Sequence, residues 1–296
     1  MNAGRNTVWA RVAIYLEMIK FEHSVFALPF AYFGAFLSQM NPPTLVVLFW
    51  ITLAMVGARS FAMSLNRLID KEIDRRNPRT AERALPKGLL SVFDVSIFAV
   101  VSLALFLIAV YNLAPICRYL WPFSVAPFVV YPYTKRFTWL SHFILGACLG
   151  LAPVGAWAAI TNSLDWRPLV IGAAVALWTA GFDIIYATQD VETDHREGLF
   201  SIPAQFGIGK ALLFTKLLHA FSVLILIFLG MSFNLGFFYF TGVFVAAALL
   251  AYENSLVKPD DLSRLDLAFF TMNGIISLIL FLFVALEIVF RGIQVV

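Results

Sequence analysis

The stretch "NRLIDKEIDRRNPRTAERALPKG", residues 66–88, is strongly charged and directly follows a long apolar run. It contains four acids and seven Lys or Arg, whereas only 13% of the whole 296-residue chain is charged and 61% is hydrophobic. Soluble globular domains are about 25% charged. The composition therefore predicts an integral membrane protein, surrounded by membrane lipid, and offers no sign of a nucleic-acid partner.

Nine apolar runs are long enough to predict membrane-spanning helices, which need about 20 mostly apolar residues. They are residues 24–40, 44–65, 91–111, 114–133, 142–161, 168–187, 211–230, 234–251 and 267–290. No linker or low-complexity stretch separates them, so we expect one membrane-embedded, all-α domain over residues 1–296. Within the fifth run, Gly146 and Gly150 form a GxxxG pair that predicts close packing between helices.

Lys and Arg are concentrated in alternate connections between these runs. The N-terminal segment carries three and residues 66–90 carry seven, while residues 134–141, 188–210 and 252–266 carry two each. The intervening connections carry at most one. Because basic residues favour the cytoplasmic side of a membrane, we expect a multi-pass protein of the cell (inner) membrane with a cytoplasmic N-terminus. The two most charged loops then also lie in the cytoplasm.

Two acidic motifs close the second and the sixth run. In each, a polar residue is followed by two Asp at four-residue steps: Asn66, Asp70 and Asp74 in one, Tyr186, Asp190 and Asp194 in the other. Four residues turn an α-helix by about 400°, so each series drifts by only about 40° per step and shares one face. Arg59 lies on the face of the first series and Asp183 on that of the second.

Paired Asp residues on one helix face repel each other, and a divalent cation would remove this cost. Mg²⁺ favours carboxylate oxygens and retains coordination sites for water and phosphate. A solvated helix end would explain a single motif of this kind. Two copies, each leaving an apolar run on the same side, favour a site in which Mg²⁺ bridges the protein and a diphosphate.

A diphosphate site also needs cations, and the sequence supplies many near the two motifs. The candidates are Arg59, Arg67, Lys71, Arg75, Arg79, Arg83, Lys87, Lys135 and Arg136. The cytoplasmic bias of basic residues explains several of them without any binding role. Arg59 differs, because it lies inside the apolar segment "MVGARSFAM", where an unpaired guanidinium is costly. We therefore expect Arg59 to point into the bundle, toward an anion.

The histidines give weaker signals. His23, at the start of the first run, could contact an acceptor or simply form a hydrogen bond at a helix end. His142, His195 and His219 lack partners at metal-ligand spacing, so the sequence assigns them no role.

Together, "NRLIDKEIDRRNPRTAERALPKG", "YPYTKRFT" and "DIIYATQDVETDHREGLFSIPAQFG" resemble the UbiA-type intramembrane aromatic prenyltransferases, especially the 4-hydroxybenzoate polyprenyltransferase branch. The resemblance implies nine helices around a central cavity, capped by cytoplasmic loops. It also implies transfer of a polyprenyl group from polyprenyl diphosphate to a small aromatic acid, with release of pyrophosphate, during quinone biosynthesis. This chemistry uses Mg²⁺, and two ions are expected.

The resemblance also implies roles for individual residues. One Mg²⁺ would be held by Asn66, Asp70 and Asp74, and the other by Asp190 and Asp194. The diphosphate would contact Arg59, Lys135 and Arg136, with Arg67 and Lys71 as further candidates. Asp183 and Tyr186 would line the cavity beside the second metal site.

The sequence leaves the acceptor open between 4-hydroxybenzoate and a hydroxynaphthoate used for menaquinone. The first motif reads Asn66-Arg67 where many family members have Asn-Asp, and the first run lacks an Arg-Pro pattern. An alternative of another class is a secondary transporter of an anionic substrate. Transporters place their sites near the membrane midplane on broken helices, whereas these acids gather at the cytoplasmic ends, which favours the enzyme.

Overall fold

The computed structural model of the protein describes residues 8–294, without the side chains of residues 22–26 and 292–294. Helices occupy most of this range, and no β-strand forms within it. The α-helices are α1 Val8–Met18, α2 Phe21–Gln39, α3 Leu45–Arg76, α4 Val92–Tyr111, α5 Cys117–Thr134, α6 Ser141–Thr161, α7 Trp166–Ala187, α8 Val191–Glu197, α9 Ile202–Phe206, α10 Ile208–Ser232, α11 Phe237–Leu256 and α12 Asn273–Gln294.

Each of the nine apolar runs lies on a separate long helix, and the all-helical membrane architecture is confirmed. Within the described residues, seven helical segments are long and apolar enough to cross a membrane. They are Leu45–Arg76, Val92–Tyr111, Ser141–Thr161, Trp166–Glu197, Ile208–Ser232, Phe237–Leu256 and Leu267–Arg291. The remaining two runs form α2 and α5, and α5 contains three prolines and Arg118. The count of nine spans therefore stays a prediction.

The helices pack as a bundle in which α2, α6, α7, α10, α11 and α12 contact one another in succession around a ring. Helices α3, α4 and α5 pack beside α2 and α6 and complete the bundle. The close packing predicted for Gly146 and Gly150 is confirmed. A Cβ atom at Gly146 would lie 2.3 Å from the Ala176 carbonyl oxygen, and one at Gly150 would lie 2.5 Å from that of Gly172.

Helix α3 continues well beyond its apolar run. Its 32 residues span about 48 Å at 1.5 Å per residue, whereas the hydrocarbon core of a membrane is about 30 Å thick. The last turns of α3 therefore carry Asn66, Asp70 and Asp74 beyond its apolar part on one continuous helix.

The second acidic motif does not lie on one continuous α-helix as predicted. Helix α7 ends at Ala187, a 3-10 turn covers Thr188–Asp190, and α8 then begins at Val191. A 3-10 turn has three residues per turn, in place of 3.6, so the four-residue spacing is interrupted here, yet Tyr186, Asp190 and Asp194 still line one cavity. Packing against the neighbouring loops, and not helical periodicity alone, sets the directions of Asp190 and Asp194.

Candidate active site

A polar cavity lies at one end of the bundle, where α3, α5, α6, α7 and α8 meet, and its volume is about 180 Å³. Nine of the residues to which the resemblance gave a role line it: Asn66, Arg67, Asp70, Asp74, Lys135, Asp183, Tyr186, Asp190 and Asp194. The candidate cations Arg79 and Arg83 also line it, whereas Arg136 does not. Residues that the sequence did not assign to a site also line it, among them Asn77, Tyr131, His142 and Ser201. Folding thus brings both acidic motifs to one cavity.

In the first motif, Asp70 is almost fully buried and bonds to two basic side chains from the end of α5. Lys135 Nζ lies 2.7 Å from Asp70 Oδ2, and Arg136 Nη2 lies 3.1 Å from Oδ1. Asn66 Nδ2 also donates to Oδ2 at 3.0 Å. Hydrogen bonds between ionised partners are stronger than neutral ones, so this cluster fixes α3 against α5.

Asp74 is the second acid of this motif and pairs with a residue from the loop that follows α3. Arg83 Nη1 lies 2.8 Å from both carboxylate oxygens. The Thr80 hydroxyl donates to the Asp74 carbonyl oxygen at 2.9 Å. These bonds fold the charged loop back over the end of α3.

In the second motif, Asp190 accepts bonds from the same loop. Arg79 donates from Nε to Oδ1 at 3.0 Å and from Nη2 to Oδ2 at 2.6 Å, and Asn77 Nδ2 donates to Oδ1 at 2.8 Å. Arg79 Nη1 also donates to the Tyr186 hydroxyl at 2.8 Å. Burial opposes the charged form of Arg79, but its bonds to Asp190 outweigh burial and raise its pKa. Arg79 therefore keeps its positive charge beside the second motif.

Two further acids, Asp183 on α7 and Asp194 on α8, have partners of a different kind. His142 Nδ1 lies 2.6 Å from Asp183 Oδ2, and the Ile202 backbone N–H donates to His142 Nε2 at 3.3 Å. In this arrangement His142 Nδ1 faces Asp183 and Nε2 accepts from the backbone. Asp194 Oδ2 accepts from the Ser201 hydroxyl at 2.6 Å. No pattern in the sequence indicated a role for His142, because its partner is 41 positions away.

A second, apolar cavity adjoins the first and is enclosed by α2, α3, α4, α5 and α6. Of the described residues that line it, only Arg59 is charged. Arg59 Nε is buried and has no hydrogen-bond partner among the described residues. Tyr131 lines both cavities, so its side chain marks their junction. Arg59 does not line the polar cavity and stands apart from the other predicted cations.

The remaining predicted residues occupy different surroundings. Arg67 is buried in the cavity wall, where it donates to the Met18 carbonyl oxygen at 3.2 Å and to Asn66 Oδ1 at 3.1 Å. Lys71 does not line the polar cavity, and within the described residues it forms no hydrogen bond or ion pair. The side chain of His23 lies outside the described residues.

The acids of the polar cavity have the donor chemistry that Mg²⁺ requires. Within residues 8–294, no group of three or more His, Cys, Asp and Glu could hold a metal ion. Mg²⁺, however, is usually bound by only one or two carboxylates together with water and substrate phosphates. The pairs Asp70/Asp74 and Asp190/Asp194 supply such carboxylates beside a space large enough for phosphate. The residues therefore fit an ion that binds together with a phosphorylated substrate.

An acid- and base-lined cavity meets an apolar one inside a helical membrane bundle, the arrangement expected of an enzyme whose substrate has an anionic head and an apolar tail. A model of the UbiA prenyltransferase family matches residues 27–275. The chain belongs to this family.

Relatives with assigned names cover nearly the same length. The 4-hydroxybenzoate octaprenyltransferase of Marinobacter nauticus is 29% identical over 287 residues, which are 96% of this chain and 97% of that protein. The enzyme of the same name from Vibrio vulnificus is 31% identical over 241 residues, 81% of this chain and 84% of that one.

Solved structures show the same fold. The apo structure of a UbiA homolog from Aeropyrum pernix has a TM-score of 0.78 at 30% identity and covers 92% of this chain and 98% of its own. A UbiA homolog from Archaeoglobus fulgidus bound to GPP and Mg²⁺ has a TM-score of 0.70 at 21% identity, with 93% and 99% covered. At that identity the likeness concerns the fold alone.

Proposed function

We propose that the protein transfers a polyprenyl group from polyprenyl diphosphate to the ring of 4-hydroxybenzoate, releasing pyrophosphate, in the biosynthesis of ubiquinone. The observation that carries this proposal is the junction of the two cavities. One holds paired acids and bases suited to a diphosphate and Mg²⁺, and the other is apolar and suited to a prenyl chain. The names of the relatives support 4-hydroxybenzoate as the acceptor.

Mg²⁺ binding is assigned to the two acidic motifs. Asn66, Asp70 and Asp74 would hold one ion, and Asp190 and Asp194 the other. The Archaeoglobus homolog bound to GPP and Mg²⁺ supports Mg²⁺ as the cofactor, whereas the residues are assigned from the carboxylates that line the polar cavity. Bound Mg²⁺ supplies positive charge that stabilises the diphosphate as a leaving group.

The basic residues in and beside the polar cavity would change partners when the substrate binds. Without substrate, Lys135 and Arg136 bond to Asp70, Arg83 to Asp74, and Arg79 to Asp190. With substrate, these cations would bond to the phosphate oxygens, and the carboxylates would hold Mg²⁺. Each charge keeps an opposite neighbour in both states. Arg67, in the cavity wall, belongs to this group, whereas Lys71 lies outside it.

The apolar cavity would hold the prenyl chain and the acceptor. The allylic C–O bond breaks and leaves its electron pair on the diphosphate. The ring carbon ortho to the acceptor hydroxyl then attacks the allylic carbon, and the ring proton passes to a carboxylate or to pyrophosphate. Aromatic side chains such as Tyr131, Phe128 and Trp121 line this cavity and can stabilise the passing cation. Exclusion of water protects it from hydrolysis.

Arg59 is positioned to recognise the acceptor. The sequence assigned it to the diphosphate, but its place in the apolar cavity, outside the polar cavity, favours the carboxylate of the aromatic acid. A buried guanidinium with an unpaired Nε gains a strong, charge-assisted bond from such a ligand. Both hydroxybenzoates and hydroxynaphthoates carry this carboxylate.

The membrane arrangement proposed here follows the bias of the basic residues. It has nine spans in the cell (inner) membrane, a cytoplasmic N-terminus, and a polar cavity that faces the cytoplasm under the charged loops. A transporter is disfavoured, since α3 runs unbroken through its acidic motif and the family is one of prenyltransferases.

The test is a transfer assay with purified protein in lipid, labelled polyprenyl diphosphates of several lengths, Mg²⁺, and a panel of hydroxybenzoates and hydroxynaphthoates. We expect a prenylated 4-hydroxybenzoate, identified by mass spectrometry, and none when the acceptor is omitted. A clear preference for a hydroxynaphthoate would move the function to menaquinone biosynthesis. The absence of product with every acceptor would refute the proposal.

A further inference from the structure

A buried polar network lies in the second half of the bundle and contacts the polar cavity only indirectly. Its centre is Asn273, the first residue of α12, which follows a π-helical turn at Leu267–Met272. Trp178 Nε1 donates to Asn273 Oδ1 at 2.6 Å. Asn273 Nδ2 lies 3.1 Å from the Ala268 carbonyl oxygen and 3.0 Å from that of Phe269. The side chain of Asn273 thus donates to two carbonyls of the π turn.

π turns are rare and occur frequently at functional sites. Their backbone geometry differs from that of the surrounding α-helix, so a side chain that bonds to their carbonyls stabilises the turn. Here that side chain is buried and held on its other side by Trp178 from α7. The shape of the turn therefore depends on the orientation of the Asn273 amide.

Glu253 fixes this orientation from α11. Its Oε1 accepts from Asn273 Nδ2 at 3.2 Å, its side chain is 0% exposed, and its Oε2 has no hydrogen-bond partner in the part of the chain that the structure describes. No ion pair of Glu253 is formed within the described residues. Because an isolated charge inside a membrane protein is costly, the geometry fits a neutral acid that acts as a hydrogen-bond acceptor.

The π turn in turn contacts the proposed active site. The Phe269 ring stacks on the Tyr186 ring with centroids 4.0 Å apart and an interplanar angle of 23°. The Phe270 ring meets Tyr186 edge-on at 5.7 Å. Tyr186 then accepts the bond from Arg79, the partner of Asp190. A continuous series of contacts therefore links Glu253 to the cations of the polar cavity.

We infer that Glu253 and Asn273 are positioning residues for the prenyl diphosphate site. They hold the π turn in the shape that places Phe269 against Tyr186, and Tyr186 holds the guanidinium of Arg79 at the polar cavity, where it can bond to the diphosphate. The inference rests on the proposed function in one respect, namely that the ligand of the polar cavity is a diphosphate. It goes beyond that function, because it makes the affinity for diphosphate depend on residues that do not line the cavity.

The test compares Glu253→Met with Glu253→Gln in the full-length protein. The readouts are the Kd for pyrophosphate with Mg²⁺, from ligand-dependent thermal shifts, and separate KM values for prenyl diphosphate and acceptor. Glu253→Met should raise the Kd and the prenyl diphosphate KM by about tenfold, since small misplacements far from a reacting centre are costly. The acceptor KM should not change. Glu253→Gln keeps an Oε1 acceptor and should restore both values.

Glu287 supplies a matched control, because it is also a buried carboxylate between α11 and α12. Its oxygens accept the backbone N–H groups of Gly236 at 2.6 Å and Tyr239 at 3.4 Å, and this contact caps α11. Glu287→Met should lower Tm and leave the pyrophosphate Kd unchanged. An equal rise of Kd in Glu287→Met and Glu253→Met would overturn the inference, since it would reflect general destabilisation.

Phe269→Leu tests the other end of the series and does not depend on the folding of the Glu253 variants. It should raise the pyrophosphate Kd by about as much as Glu253→Met, and the double variant should be no worse than either single one, as expected for coupled positions. A wild-type Kd in Phe269→Leu, or a Glu253→Gln as weak as Glu253→Met, would refute the inference. Wild-type protein that binds pyrophosphate but transfers no prenyl group would refute only the proposed function.

Discussion

Arg79 and Asp190 form a two-point ion pair, with Nε and Nη2 at 3.0 and 2.6 Å from the two carboxylate oxygens. The residues are 111 positions apart, one in the loop after α3 and the other in the turn after α7. A second ion pair joins the last residue of α3 to the last residue of α8, with Arg76 Nε 2.6 Å from Glu197 Oε2. The loop that follows the first acidic motif thus bonds directly to the second motif. A substitution in one motif should therefore alter the geometry of the other.

Removal of divalent metal should abolish transfer. The four motif acids present hard oxygen ligands, and without a bound cation they would repel a diphosphate. We expect EDTA to eliminate product formation and Mg²⁺ or Mn²⁺ to restore it, whereas Ca²⁺, which prefers a larger and more flexible oxygen shell, should restore less. Full turnover in metal-free buffer would contradict the assignment of the acids.

Asp70→Asn and Asp190→Asn should each reduce turnover by at least about a hundredfold, comparable to the loss of a group that stabilises charge in a transition state. The substitution is nearly isosteric but removes the negative charge that would bind Mg²⁺. It also leaves Lys135 and Arg136, or Arg79, without their ionic partner, so stability should fall by about 2 kcal/mol. Turnover and Tm should be measured on the same purified variants.

A matched control for these variants is Glu72→Gln on the exposed side of α3, where the carboxylate makes only a long contact with Arg75. Exposed pairs of this kind contribute little to stability, and the residue does not line the cavity. Near-normal turnover in both Asn variants would mean that the acids are merely solvated helix ends.

Arg136→Ala should weaken the use of prenyl diphosphate, because Arg136 reaches the first motif through Asp70. We expect a rise of about tenfold in the KM for prenyl diphosphate, the size expected for loss of one charge-assisted hydrogen bond. Arg75→Ala removes an equal charge from an exposed position and serves as the control. Equal effects in both variants would indicate a general electrostatic role.

Arg59→Met should raise the KM for the aromatic acid and leave that for prenyl diphosphate nearly unchanged. Methionine approximates the apolar part of the arginine side chain but cannot pair with a carboxylate. Kinetic measurements with each substrate varied in turn distinguish the two roles. A selective loss of diphosphate affinity would instead favour the role that the sequence first suggested for Arg59.

Cysteine labelling should establish the orientation in the membrane. Arg75→Cys should react with an impermeant thiol reagent only from the cytoplasmic side, and Asn41→Cys only from the opposite side. Both positions are exposed, and the natural cysteines Cys117 and Cys148 are buried. The reverse labelling pattern would show that the distribution of Lys and Arg had been misinterpreted.

The sequence by itself determined the membrane class, the positions of the long helices and the two acidic motifs. These features depend on local properties, namely the length of apolar runs and the spacing of charged residues. Those properties are the same however the helices pack. The continuous helix of the first motif was predicted correctly, since Asn66, Asp70 and Asp74 all lie on α3. The second motif also lines the cavity, but the 3-10 turn at Thr188–Asp190 that interrupts its helix could not be predicted from the spacing.

Only the tertiary structure decided which residues become partners. Packing of α6 against α7 places His142 against Asp183, and the fold of the charged loop brings Arg79 to Asp190. The separation of Arg59 from the other cations likewise depends on how α3 passes the boundary between the two cavities. Contacts between distant positions depend on the angles and distances at which whole helices pack. Neither the composition of the chain nor the spacing of its residues determines those angles and distances locally.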